Sequence, residues 1–191
     1  MIEKVLLDGV KPEMIDLIHS LCQRQISKIQ ELQSYFKSTP ADLSPSICGF
    51  LDVSYQYYRL IMLYLIFLKN GYMIDRTVEK TKPVEQIYYE NNMLANSILD
   101  SKDFFVSCAE KFKGDPYLVE FPRFALAFFN EKLERDLKKA ITTFESIKTS
   151  LDVKKMAGIT VDSLISTGFV DDGEDQIERK LLEESGIKGT N

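Results

Sequence analysis

Hydrophobic residues recur along this chain at three- and four-residue spacing, and no segment reads convincingly as an alternating strand, so the pattern predicts an all-helical chain. The strongest segment is FLDVSYQYYRLIMLYLIFLKNGYMID, residues 50–75. From Leu60 to Leu68 every residue is hydrophobic, with Arg59 and Lys69 at the two ends. A helix apolar on all sides is a central helix with neighbours all round it. A bilayer span needs about 20 consecutive apolar residues, so this shorter, charge-flanked run reads as a core helix and not as a membrane segment. Asn70-Gly71 is a favoured C-terminal pair and predicts the end of the helix there.

The other helices follow from the same spacing. Residues 1–10 read as a short lead-in. From about Lys11, with Pro12 in the first turn, Ile15, Ile18, Cys22, Ile26, Ile29, Leu32 and Phe36 form one inward face, opposite Gln23, Arg24, Lys28, Gln30 and Glu31. The segment STPADLSPS ends that helix, and Ser44-Pro45 supplies an N-cap with proline behind it for the central one. After a connector, Pro83 opens a helix in which Val84, Ile87, Asn91, Leu94 and Ile98 repeat with 3,4,3,4 spacing, leaving Asn91 on the apolar seam. A polar residue on such a seam fixes pairing register at a cost in stability. Asp100-Ser101 interrupts or bends the pattern, which Phe104, Phe105, Cys108, Ala109 and Phe112 carry on to Gly114-Asp115-Pro116. A last long helix runs from about Pro122, with Leu126, Phe129, Leu133, Leu137, Ile141, Phe144 and Leu151 inward.

The expected architecture is therefore all-α, an elongated bundle of four to five long helices with a C-terminal extension. Residues 1–155 form the bundle domain, and residues 156–191 an acidic arm that is partly flexible or docks on a partner. Within the arm Ile177, Leu181 and Leu182 share one side of a short amphipathic piece.

Composition narrows the function classes. At 191 residues, 45% of them hydrophobic and 28% charged, the chain suits one folded domain with a substantial core. Its net charge of −5 is concentrated at the C-terminus. From Asp171 onward seven acids and three bases leave −4, and only −1 falls on everything before. A near-neutral body gives no electrostatic footprint for nucleic acid or an anionic membrane. Three dispersed cysteines, Cys22, Cys48 and Cys108, form neither a disulfide framework nor a zinc motif. The charged start MIEKVLLDGVKPEM lacks a secretory pattern, so an intracellular setting is expected.

Candidate chemistry is sparse. The nine glycines never take a phosphate-binding spacing. His19, the single histidine, falls in the middle of the first helix and reads as structural rather than catalytic, and one histidine cannot supply the paired Glu-x-x-His sites of di-metal bundles. The run Asp171-Asp172-Gly173-Glu174-Asp175 lacks the alternating ligands of an EF-hand. No catalytic residue, metal or cofactor is therefore expected. The adjacent pairs Tyr57-Tyr58 and Tyr88-Tyr89 stand apart, because neighbours on a helix point in different directions and cannot all face one core. Tyr57, Tyr58, Tyr88 and Tyr89, with Ile177, Leu181 and Leu182, are the candidate partner interface.

Four short motifs carry a likeness: Lys11-Pro12-Glu13-Met14-Ile15, Gly49-Phe50-Leu51, Lys69-Asn70-Gly71 closing an apolar helix with tyrosines, and the step Pro83-Val84. Over roughly residues 11–95 the chain resembles the neuroguidin-like family, which includes nucleolar small-subunit processome factors and nuclear-exosome cofactors. The resemblance implies a helical module that pairs with helices of partner proteins in ribosomal RNA processing or exosome recruitment, in the nucleus or nucleolus. The family has histidine where Lys82 stands, an arginine at or near Asn92, and basic C-terminal regions that touch RNA. With an acidic C-terminus, RNA contact is expected to be indirect or weak.

The sequence thus reads as a non-enzymatic interaction subunit or adaptor that engages protein partners, or a second copy of itself, through helix packing. The alternative is a small-molecule or lipid carrier, with an apolar cavity inside the bundle beside the central helix.

Overall fold

The computed structural model describes residues 2–38, 45–75 and 82–167, and among them all regular structure is helical. In chain order these are α1 (Ile2–Asp8), α2 (Ile15–Ser38), α3 (Pro45–Asp75), α4 (Val84–Asp100), α5 (Lys102–Lys111), α6 (Glu120–Phe128), α7 (Glu134–Ile147), α8 (Val153–Met156) and α9 (Val161–Thr167). One π-helical turn, Phe129–Leu133, joins α6 to α7 into a single long rod. Among the described residues no helix is long and apolar enough to cross a membrane.

Helix α3 lies at the centre. Its eight consecutive residues Leu60–Phe67 are all buried. Helices α2, α4, α6 and α9 each pack against α3, and α4 also carries α7 on its other flank. Each large apolar side chain so enclosed contributes about 1.5–3 kcal/mol relative to exposure, so the sheath around α3 is the main source of stability. The wide π turn belongs to the same core, since Phe128, Phe129 and Leu133 are all buried across it. Tyr64 of α3 meets the edge of Phe128 there, with ring centroids 5.1 Å apart.

Several expectations are corrected. Residues 1–10 are not a mere lead-in, because α1 buries Leu6 and the chain then buries Val10. Gly9, at φ 111°, ends α1 and returns its N–H to the Val5 carbonyl at 3.0 Å. Two side chains from elsewhere hold this corner: Lys132 Nζ donates to the Leu6 carbonyl at 3.0 Å and the Tyr72 hydroxyl to that of Val10 at 2.9 Å. Helix α3 does not stop at Asn70-Gly71 but runs to Asp75. Of the two readings of Asp100-Ser101, interruption holds: Ser101 separates α4 from α5, and its hydroxyl donates to the Ile98 carbonyl at 2.7 Å. The last rod starts at Glu120 and its α-helix ends at Ile147, which leaves Leu151 outside the regular helix and half-buried.

Leu32, expected inward, is exposed. A helical step of about 100° per residue carries it off the line of Ile18, Cys22 and Ile29. The division drawn at residue 155 does not follow the packing either. Helix α9 lies against α3 and α4, Leu164 belongs to the core, and Arg59 pairs with Asp162 at 3.5 Å. The rest of the expected arm, residues 168–191, lies outside the described residues.

His19 is enclosed where α2 faces α3, only 4% exposed. Burial, aided by the nearby Lys69 cation and opposed by Asp16, lowers its ionisation from 6.5 to about 4. In the unfolded chain the imidazole takes a proton below about pH 6.5, whereas in the fold it stays neutral down to about pH 4. The unfolded state therefore binds more protons in this window, and stability falls with pH. Urea unfolding between pH 7.5 and pH 4.5 should show a loss on the order of 3 kcal/mol from this group. His19→Gln should flatten the slope between pH 6.5 and 5, where carboxylates contribute little; an unchanged slope would contradict the assignment.

Candidate functional site

Helix α4 packs on α3 along one side and on α7 along the other, while the contact of the α6–α7 rod with α3 is made mainly through α6. Beyond the π turn a groove is thus left between α3 and α7, with α4 as its floor. It holds about 270 Å³. Phe67, Gly71 and Ile74 line it from α3, Tyr88 and Asn91 from α4, and Asp136, Lys139, Ala140 and Thr143 from α7.

Two features mark its surface. Gly71 sits within α3, one turn before its last residue Asp75, and a Cβ built there would meet nothing within 4 Å. Asn91 is 6% exposed, and its Oδ1 is buried without a hydrogen-bond partner. A buried amide oxygen left unpaired costs about 1–3 kcal/mol, so Asn91 weakens the seam on which the spacing places it.

The neighbouring Glu90 behaves in the opposite way. It is 1% exposed, yet its carboxylate accepts from Lys82 Nζ at 2.5 Å, Gln86 Nε2 at 2.8 Å and Asn70 Nδ2 at 3.3 Å. Removing one partner from so enclosed a group would leave it uncompensated and cost stability. The Asn70 contact ties α4 to α3. Sequence reasoning passed over Glu90, although it lies three residues after Ile87 and four before Leu94, on the seam itself.

The candidate interface tyrosines fall into two separate places. Tyr57 is 2% exposed and is a core residue, which corrects its assignment to a partner surface. Its ring lies 4.9 Å from that of Phe121 and 5.8 Å from that of Phe124, and its hydroxyl donates to Glu3 Oε1 at 3.2 Å. Burial, followed by the Glu3 carboxylate, pushes the phenol well above its ordinary range, so it remains a donor. Tyr58 is half-buried, edge-on to Tyr57 at 5.3 Å. Tyr88 lines the groove, and Tyr89 packs on Phe144 at 6.2 Å. Ile177, Leu181 and Leu182 lie outside the described residues.

A second surface was hidden in the sequence. On α2, Leu17 (62% exposed), Leu21, Leu32 and Tyr35 (63% exposed) share one outward line, with the exposed Arg24 and Lys28 between the two apolar pairs. Spacings of 4, 3, 4, 4 and 3 residues reveal this line once the inward face is drawn through Ile18, Cys22 and Ile29.

Reactive groups are few. Cys22 is buried, which pushes its thiol up to about 12, and burial also raises Cys108, so neither supplies a thiolate at neutral pH. Among the described residues no cluster of three His, Cys, Asp or Glu stands close enough to hold a metal ion. No family model, curated protein or solved structure matches the chain.

Tyr57→Ala should lower unfolding free energy by about 3–5 kcal/mol and Tyr57→Phe by about 1 kcal/mol, both read from urea titrations. A neutral Tyr57→Ala would return this residue to the surface. Gly71→Ala should raise stability by about 0.5–1 kcal/mol, because a helix interior favours alanine. A glycine needed to close the helix in the left-handed conformation would instead give a loss.

Proposed function

We propose that this protein is a non-enzymatic helical interaction module, a subunit or adaptor of an intracellular assembly, and that the outer face of α2 docks a helix of a protein partner. The observation that carries this reading is the exposed line Leu17, Leu21, Leu32 and Tyr35, which extends over much of a 24-residue helix. Helix-in-groove and helix-pair recognition use anchors at this spacing. Arg24 and Lys28 at the middle of the line favour an acidic or neutral partner face. Antiparallel pairing of two copies through α2 would bring these four cations together, so a different protein fits better than a second copy. Nuclear ribosomal RNA processing is the setting that the resemblance of residues 11–95 suggests, with RNA reached through protein partners.

The carrier alternative is less well supported. The apolar stretch of α3 is filled by the side chains of its neighbours, and the groove beside it, about 270 Å³, is smaller than the roughly 300–1,000 Å³ of ordinary small-molecule sites.

Affinity purification of the tagged protein from its own cells, with and without RNase, tests the proposal. Partner proteins should survive RNase, and the double variant Leu17→Glu, Tyr35→Glu should recover at least tenfold less of them while its unfolding free energy stays within about 0.5 kcal/mol of the parent. Partners indifferent to the double variant, or none at all, would overturn it.

A further inference from the structure

The outer line of α2 has a definite order: the apolar pair Leu17 and Leu21, then the cations Arg24 and Lys28, then the apolar pair Leu32 and Tyr35. Glu31 lies beside Lys28, and two cations against one acid leave this face at +1. Among the described residues neither cation has an ion-pair partner. A later segment of the chain carries the complementary order. At spacings of 3, 4 and 3 residues Glu174, Ile177, Leu181 and Glu184 set an apolar pair between two acids, in a stretch that carries −4 from Asp171 onward. Leu17, Leu21 and Arg24 stand four and three residues apart, as do Ile177, Leu181 and Glu184 and, read backwards, Leu181, Ile177 and Glu174. With the two apolar pairs in contact, an acid therefore meets Arg24 in either direction. The described chain also ends within reach. Asp16 with Lys69 and Gln33 with Asp52 set α2 and α3 antiparallel, so Arg59 of α3 stands level with Ile26, between Arg24 and Lys28. Arg59 holds Asp162 at the start of α9, and α9 ends at Thr167. From there the nine residues 168–176 span up to about 30 Å, enough to pass round a helix about 10 Å across.

From this match we infer that residues 174–184 of this chain lie as a helix on the outer face of α2, with Ile177 and Leu181 on Leu17 and Leu21 and an acid on Arg24, and that a protein partner binds α2 by displacing them. The inference rests on the reading of α2 as the docking face and names how that face is regulated. Charge selects the occupant. A second α2 would bring four cations together, whereas the C-terminal stretch brings −4 to a face at +1. Tethering supplies the strength. Four apolar side chains make a weak contact between free molecules, but within one chain the segment is held at an effective concentration on the order of millimolar. Such a cover leaves α2 open for a minor fraction of the time, and partner affinity falls by that fraction.

Methyl NMR of the full-length protein tests the cover. Nuclear Overhauser contacts are expected between the methyls of Ile177 and Leu181 and those of Leu17 and Leu21, unchanged on dilution. The double variant Ile177→Glu, Leu181→Glu should abolish them, leave the melting temperature unaltered, and raise recovery of partner proteins from the cells about three- to tenfold. Arg24→Glu should weaken the contacts, and Glu174→Lys or Glu184→Lys should restore them, according to the direction in which the segment lies. Absent contacts, contacts found only between differently labelled copies, or failure of both charge reversals would overturn the inference. Partner recovery that depends on Leu17 and Tyr35 but is indifferent to Ile177→Glu, Leu181→Glu would also overturn it, leaving the interaction reading intact. Contacts present in a chain that captures no partner, with or without that double variant, would support the intramolecular cover and overturn the reading of α2 as a partner face.

Discussion

The constraint on which the structure depends is the complete enclosure of Leu60–Phe67. A helix apolar on every side has no face to offer water, and it persists only where other helices cover it all round. Its backbone is satisfied within the helix, so the sheath needs to supply only apolar contact, which α2, α4, α6 and α9 do. The short pieces matter for the same reason. Helix α1 closes over α6 and the π turn, and α9 brings Leu164 into the core from a stretch that composition alone assigns to a tail.

Apolar contact is non-directional, and polar groups choose among the packings it permits. Glu90 binds three donors, two from the start of its own segment and one from α3, and so links α4 to α3. Tyr57 to Glu3, Tyr72 to Val10 and Lys132 to Leu6 pin the N-terminal corner over the core. Each is satisfied. Asn91 differs on the same seam, with its side-chain oxygen buried and unpaired.

Much of the fold was legible because its signals are long. Eight enclosed residues in a row admit one reading, and the seam Ile87, Asn91, Leu94 and Ile98 emerged in its true place, with Asn91 buried on it. What escaped was decided at long range. A seven-residue helix such as α1 has too few turns to announce itself, and the bonds that hold it come from residues 54 to 126 positions away. Asn70-Gly71 carries the composition of a helix end, but Asn70 binds Glu90 and Tyr72 binds Val10, and these contacts hold the turn helical on either side of Gly71. The tyrosine pairs were read as divided between core and surface. That division could be argued from periodicity, but which member faced inward depended on where Phe121 and Phe124 arrive.

The two surfaces left over differ in kind. The α2 line is long, exposed and basic at its centre, suited to a helix, whereas the α3–α4–α7 groove is short, neutral in balance and notched by a glycine. The first is the outer face of a helix that covers α3, and the second the gap left where α7 packs on α4 and not on α3. The claim beneath them, that enclosure of α3 holds the fold together, is tested most directly by native-state hydrogen exchange. The amides of Leu60–Phe67 should exchange only through global unfolding, with a free energy equal to that from denaturant titration, while those of α2 beyond Ile29 exchange through smaller openings. Exchange of the α3 amides at a lower free energy than those of α4 or α7 would contradict the account.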